Sequence, residues 1–331
     1  MVNKPQDDFF DAILKRKFGL SVCFLCGRRI GKKNRADEHV ITRWVQKKFE
    51  LTNQQLYLLN GTTIPYRQLT IPCCYMCNNK HLQPIEKRMS NAVDQGAKGV
   101  RALDRHDLFI WLGKMFYGLL YRELFLPWDR AGNIKTKITS KELLKQYEMH
   151  HLFLQSVRIP MRFMDFFPAS ILIVNTHEPD DPQLGWDFRD ELKTMCIACR
   201  LGKVGIIGVL QDGGAQESMF PLLKLAKRKL HPIQFTEVVA QVTYKAMLFN
   251  RLPKYIIMDG NPKTVIQLPL GGFSRKSIFD DWNQEQYVQI LCQITGYPIE
   301  QLFHPPDQVL TWLYNPDRSN KSMPLWKFPI Q

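Results

Sequence analysis

No apolar stretch in the chain is long enough to span a bilayer; the nearest approach, residues 107 to 117, is interrupted by Lys114. Internal repeats, low-complexity tracts and heptad arrays are also missing, so solenoid, coiled-coil and linker-like architectures are excluded. No secretory signal opens the sequence, because Asp7, Asp8 and Asp11 interrupt its start and Lys15, Arg16 and Lys17 follow. We therefore expect a cytoplasmic protein without a membrane partner. Acidic residues are few, 31 Asp and Glu against 45 Lys and Arg, for a formal charge of +14. Such a balance favours a polyanionic partner. What is present is globular in character: 45% hydrophobic and 11% aromatic residues over 331 positions give room for two domains and a sizeable core.

Six of the eight cysteines fall in C-x-x-C pairs: Cys23-x-x-Cys26 and Cys74-x-x-Cys77, and Cys196-x-x-Cys199, which lies in a strand-like run without a partner pair. Two such knuckles supply four thiolates, the ligand set that a structural Zn²⁺ prefers in a tetrahedron. The 47 residues between Cys26 and Cys74 exceed a compact finger, so a metal here would clamp the base of a small subdomain. Cys73 adjoins Cys74 as a competing ligand with a less usual spacing. Thiols spent on metal rather than disulfides fit a reducing compartment.

Inside the clamp, Asp37-Glu38-His39-Val40-Ile41 places an acidic pair and a histidine before a β-branched apolar run, which reads as a strand end. Residues 55 to 64 carry Asn60-Gly61 between β-prone residues and predict a hairpin. After Cys77, Asn78 and Asn79 precede apolar residues at 82, 85 and 89, the spacing of a helix. Pro84 belongs in the first turn, so that helix is expected to begin near residue 83.

In this order of strand, hairpin, knuckle and helix, residues 20 to 90 resemble the HNH endonucleases, the ββα-metal family, in a form stapled by zinc. The resemblance implies that His39 is the general base. It makes Glu38 and Asn78 ligands of a divalent cation, Mg²⁺ or Mn²⁺, with His81 a further ligand or phosphate contact, and assigns Cys23, Cys26, Cys74 and Cys77 to the structural zinc. Two departures stand out. The family more often has Asp before the histidine, so either Asp37 or Glu38 faces the ion; and its central bracing asparagine has no clear counterpart, Gln68 being nearest in position, with Asn60 and Asn53 further back.

The chemistry is coherent in its own terms. A neutral histidine takes a proton from water at neutral pH, and a hard cation held by few protein oxygens keeps positions open for phosphate and water. Charge gathers in the same place. The first 90 residues hold 16 bases and 7 acids, with Arg28, Arg29, Lys32, Lys33 and Arg35 before the histidine and Lys47 and Lys48 after it. Such clusters attract phosphates without reading sequence. The expected substrate is double-stranded DNA, with RNA and single strands left open, and defence against invading DNA is a compatible role. The competing reading is a non-catalytic zinc module that binds nucleic acid or a partner protein.

The expected fold class is α+β: a small nuclease-like domain over 1-95, then a larger mixed α/β domain over 100-331 for recognition, sensing or oligomerisation, either with copies of itself or with a regulatory partner. Helices are predicted at 105 to 124 (amphipathic), 140 to 155, 216 to 229, 235 to 249 and 283 to 296, and strands at 170 to 176, 195 to 201, 204 to 211, 254 to 258 and 264 to 268, before a Pro-rich tail. Cys196, Cys199 and Cys292 are read as packing residues. His150 and His151 are read as surface or boundary residues, Glu178 to Asp181 as a loop, and Asp212-Gly213-Gly214 as a turn.

Overall fold

The computed structural model describes residues 9–10, 18–129, 131, 135–219, 228–271, 276–304 and 308–323. The start of the chain around Asp7 to Lys17, apart from Phe9 and Phe10, and the end of the Pro-rich tail from residue 324 lie outside these residues. The fold is a mixture of helices and strands, as the α+β expectation requires. It divides into two compact units: residues 1–92, 103–163 and 257–265 form the first, and 93–102, 164–256 and 266–331 the second. The segment 1-95 thus falls almost whole in the first unit, which also takes in residues well beyond it.

The first unit begins with β1 (Glu38–His39), α1 (Arg43–Lys48), β2 (Gln55–Tyr57), β3 (Thr63–Pro65) and β4 (Thr70–Ile71). β2 and β3 pair as the predicted hairpin, Leu56 opposite Ile64, with Gly61 at φ 75° in its turn. β1 pairs antiparallel with β4, setting His39 opposite Thr70. A π-helical segment, Met76–Leu82, then runs directly into α2 (Gln83–Asp94). The helical path therefore starts seven residues before the expected position. Gln83 N–H reaches back five residues to Asn78 O, and the wide turn ends where Pro84, which has no N–H, can enter a regular helix. Gly96, at φ 81°, leads into α3 (Ala97–Arg101).

Helix α4 (Arg105–Glu123) starts on an Asp104 cap that accepts from His106 N–H, and Arg88 ties it to α2 by a bidentate pair with Asp107. It is buried on nearly every face rather than amphipathic, Lys114 included. The helix expected over 140 to 155 is broken at Tyr147 into α5 (Lys141–Gln146) and α6 (Glu148–Leu154). His150 and His151 are buried, contrary to their reading as surface residues. His150 sits edge-on to Phe109 and Phe116, and His151 stacks on Tyr117 with ring centroids 4.8 Å apart. The face of α6 that carries them packs on α4, and that surface comes from 30 to 40 residues earlier in the chain.

Beyond β5 (Met161–Met164), the second unit is built on β6 (Ser170–Thr176), β7 (Trp186–Glu191), β8 (Cys196–Leu201) and β9 (Val204–Val209). After α7 (Ala215–Met219) come β10 (Lys229–Leu230) and α8 (Pro232–Met247). The sheet order is β10-β6-β9-β8-β7, antiparallel except for the β10-β6 pair. Lys229 lies in a strand rather than at the end of a helix over 216 to 229, and residues 220 to 227 of that expectation lie outside the described residues. Helix α8 covers the sheet through Phe235, Val238, Val239 and Val242. β11 (Tyr255–Met258) and β12 (Lys263–Gln267) are sheet neighbours, and α9 (Gln284–Thr295) packs on α8 through Tyr287, Val288 and Leu291. Cys196 and Cys199 are buried in β8, Cys196 taking a hydrogen bond from Thr243, as packing residues should. Asp212-Gly213-Gly214 is a turn, both glycines at positive φ. Among the described residues no helix is long and apolar enough to cross a membrane.

Candidate metal centre and the His39 site

The two knuckles meet. The sulfurs of Cys23, Cys26, Cys74 and Cys77 all lie within 4.8 Å of one another, with Cys26 and Cys74 3.7 Å apart. Four sulfurs at tetrahedral corners about 2.3 Å from an ion would be separated by roughly 3.8 Å, so the four cysteines lie close enough to hold a metal ion and are compatible with zinc. Each knuckle is a tight turn. Gly27 N–H bonds Cys23 O in the first, and Asn78 N–H bonds Cys74 O in the second. Gly27 is at φ 68°, and a Cβ there would come within 2.2 Å of the Phe10 ring. Cys73 is also buried, 4.0 Å from Cys23, but stands outside the mutually close four; burial pushes its thiol up. Hydrogen bonding from Cys26 first, then from the other cysteines, lowers Cys23, while the same contacts raise Cys26 and Cys77. Hydrogen bonding within the cluster thus favours the thiolate form at Cys23 and Cys74, a role that an ion would take over.

Later segments brace the first knuckle. His151 Nε2 donates to Phe24 O at 2.7 Å, inside the Cys23–Cys26 turn. Arg158 is close enough for all four cysteines to act on its charge. A guanidinium beside a tetrathiolate metal site offsets part of its net negative charge. None of these helpers is marked by the cysteine spacing.

Asp37, Glu38 and His39 part company. Asp37 is exposed and pairs with Arg35 at 2.9 Å. Glu38 is 4% exposed and meets the Lys114 ammonium at 2.5 Å, while the same ammonium reaches Glu86 at 2.7 Å and His39 O at 3.1 Å. Burial raises the Glu38 carboxyl despite Lys114; burial would lower Lys114, but the two carboxyls outweigh it and its pKa rises. Both shifts are met when Lys114 stays charged and the buried Glu38 carboxyl holds its proton more tightly than a solvent-exposed one. No motif marks Glu86 or Lys114 as a partner of Glu38. Only the i, i+3 and i+7 run of Leu82, Ile85 and Met89 hinted at a helix that sets Glu86 beside an inward face.

The His39 ring is half-buried, with Arg43 Nε 3.3 Å from Nδ1. Burial first, then the Arg43 and Lys114 charges, pushes it down to about 4, so it is neutral at physiological pH. Asn78 Nδ2 donates to Ala36 O at 2.9 Å and Asp37 O at 3.3 Å, bracing the segment that leads into His39 and leaving Oδ1 as its acceptor. His81 is turned toward Val157 and Arg158; burial and then the Arg158 charge lower it. Asn60 Oδ1 accepts from Thr62 in the hairpin turn while its Nδ2 donates to Trp128 O at 2.7 Å, and Asn53 accepts from Arg67. Arg28, Arg29, Lys32, Lys33, Arg35, Lys47 and Lys48 are all exposed. No protein-family model matches this chain, and neither curated proteins nor solved structures give a match.

Proposed function

We propose that the protein is a metal-dependent endonuclease of HNH type that hydrolyses phosphodiester bonds of double-stranded DNA, with the four cysteines holding a structural Zn²⁺. The observation that carries this reading is His39 itself: a half-buried, neutral imidazole on a short antiparallel strand pair, followed by a helix whose Asn78 amide grips the residues just before it. A neutral imidazole is the form that accepts a proton from an attacking water. Arg43 beside it and the exposed bases at 28 to 35 supply positive charge for the phosphate. Mg²⁺ or Mn²⁺, with Glu38 and the Asn78 Oδ1 as protein donors, would polarise the phosphoryl oxygens. Defence against invading DNA is a role consistent with this activity.

One observation favours a second reading. The Glu38 carboxylate is buried against Lys114, so an ion must compete with an ammonium for it. A site without a catalytic cation would leave a zinc-containing module that binds nucleic acid or a partner. Plasmid nicking separates the two. We expect Mg²⁺- or Mn²⁺-dependent nicking by the wild type, abolished by EDTA and by His39→Ala at unchanged zinc content. Absence of cleavage by a folded, zinc-loaded wild type would sink the enzyme reading and leave the binding module.

A further inference from the structure

The second knuckle carries two large side chains that have no part in holding metal. Tyr75 and Met76, between Cys74 and Cys77, are 50% and 45% exposed. Single exposed apolar residues are ordinary, but here two large ones adjoin each other on one turn. Backbone contacts fix where the pair stands. Tyr75 N–H donates to Asn34 O at 2.9 Å, Cys74 forms a bridge with Arg35, and Cys73 O accepts from Ala36 N–H at 2.9 Å. The segment lying against the knuckle is therefore the basic one, which holds exposed Lys32, Lys33 and Arg35, with Arg28 and Arg29 just before them. Three residues after Tyr75, Asn78 grips Ala36 and Asp37, next to Glu38 and His39.

A phosphate-attracting loop with an aromatic ring and a thioether beside it is the combination that binds nucleotides whose bases are not stacked in a duplex: lysine and arginine track the backbone while the ring offers its face to a base. Bases paired within a helix present only their edges to such a ring. We propose that Tyr75 and Met76 form a platform for an unpaired base, so that this site engages DNA at single-stranded or locally opened positions. The inference rests on the nuclease reading for the identity of the strand and narrows its substrate. Charge complementarity favours this occupant over a protein partner, because the flanking residues 28 to 35 carry five bases and no acid.

The test is binding of fluorescein-labelled DNA by the full-length His39→Ala protein, as a single strand, a perfect duplex and a duplex with one central unpaired nucleotide. Stacking on one aromatic side chain is worth roughly 1–3 kcal/mol, so Tyr75→Ala should weaken the single strand and the bulged duplex about five-fold or more and leave the perfect duplex unchanged. Tyr75→Phe should retain the preference. Tyr57→Ala, which removes a tyrosine 76% exposed in the hairpin, should alter none of the three. Equal weakening of all three DNAs by Tyr75→Ala, no weakening at all, or the same loss at Tyr57→Ala would each overturn the platform. If Tyr75→Ala is silent while salt-dependent binding by the His39→Ala protein and metal-dependent nicking by the wild type persist, only the platform falls. If the wild type neither binds nor cuts any DNA, the nuclease reading falls and takes the platform with it.

Discussion

Lys114 lies inside α4 with both neighbouring carboxyls on its ammonium, and removing it would leave Glu38 and Glu86 facing each other without a cation. Breaking one partner of a buried ionic set costs about 3–5 kcal/mol. Lys114→Met should lose stability on that scale in urea unfolding, and pairing it with Glu38→Gln should recover part of the loss, because the residues share one network. Glu237 on α8 is a second buried carboxyl, accepting from Thr311 Oγ1 and from Trp312 N–H. Burial pushes it up to about 7. Its folded-state pKa exceeds the unfolded value, so from about pH 4.5 to about pH 7 the unfolded chain gives up a proton that the folded chain keeps. Stability should fall across that window, by up to about 1.4 kcal/mol per pH unit from this group, and level off above it. Glu237→Gln should remove this component of the slope whatever it does to absolute stability; an unchanged slope in urea unfolding at pH 5 and pH 8 would refute the assignment. None of these pairs is visible in local spacing. Lys114 and Glu38 are 76 residues apart, and a lysine in an apolar run first reads as the residue that breaks a membrane span.

The knuckles and the hairpin were legible because their signals are local: C-x-x-C fixes a turn, and Asn60-Gly61 fixes another. The strands β6, β8 and β9 and the helices α8 and α9 followed from their apolar content: β8 and β9 are buried at every residue, and α8 and α9 each turn apolar residues to a core. The π-helical entry to α2 was not legible, because widening a turn by one residue leaves no mark in composition. Nor was the break between α5 and α6, where Tyr147 leaves the helical region at φ -104°, ψ 19°. At the first knuckle, the positive φ of Gly27 and the Phe10 ring leave no space for a side chain. Gly27→Ala should therefore cost about 1–3 kcal/mol and speed metal release to a chelator, as followed with a zinc dye. A variant that keeps its zinc as long as the wild type would show that this turn does not hold the site.

All four cysteines belong to the first unit, and the apolar clusters around α8 and α9 belong to the second. A metal that binds only the folded first unit stabilises that unit by linkage. Calorimetry should resolve two transitions, of which a strong chelator lowers one; a common shift of a single transition would mean that the units unfold as one. The composition of the first unit has a further consequence, for the order in which the protein matures on the ribosome. Synthesis runs from the amino terminus, so Cys77 leaves the exit tunnel 37 residues before Lys114, and 81 before Arg158. The nascent chain thus presents a complete set of metal-binding sulfurs while Glu38 and Glu86 still lack their cation and the knuckle still lacks the His151 brace. The four sulfurs are made early, and the surroundings of His39 are completed only once Lys114 has followed.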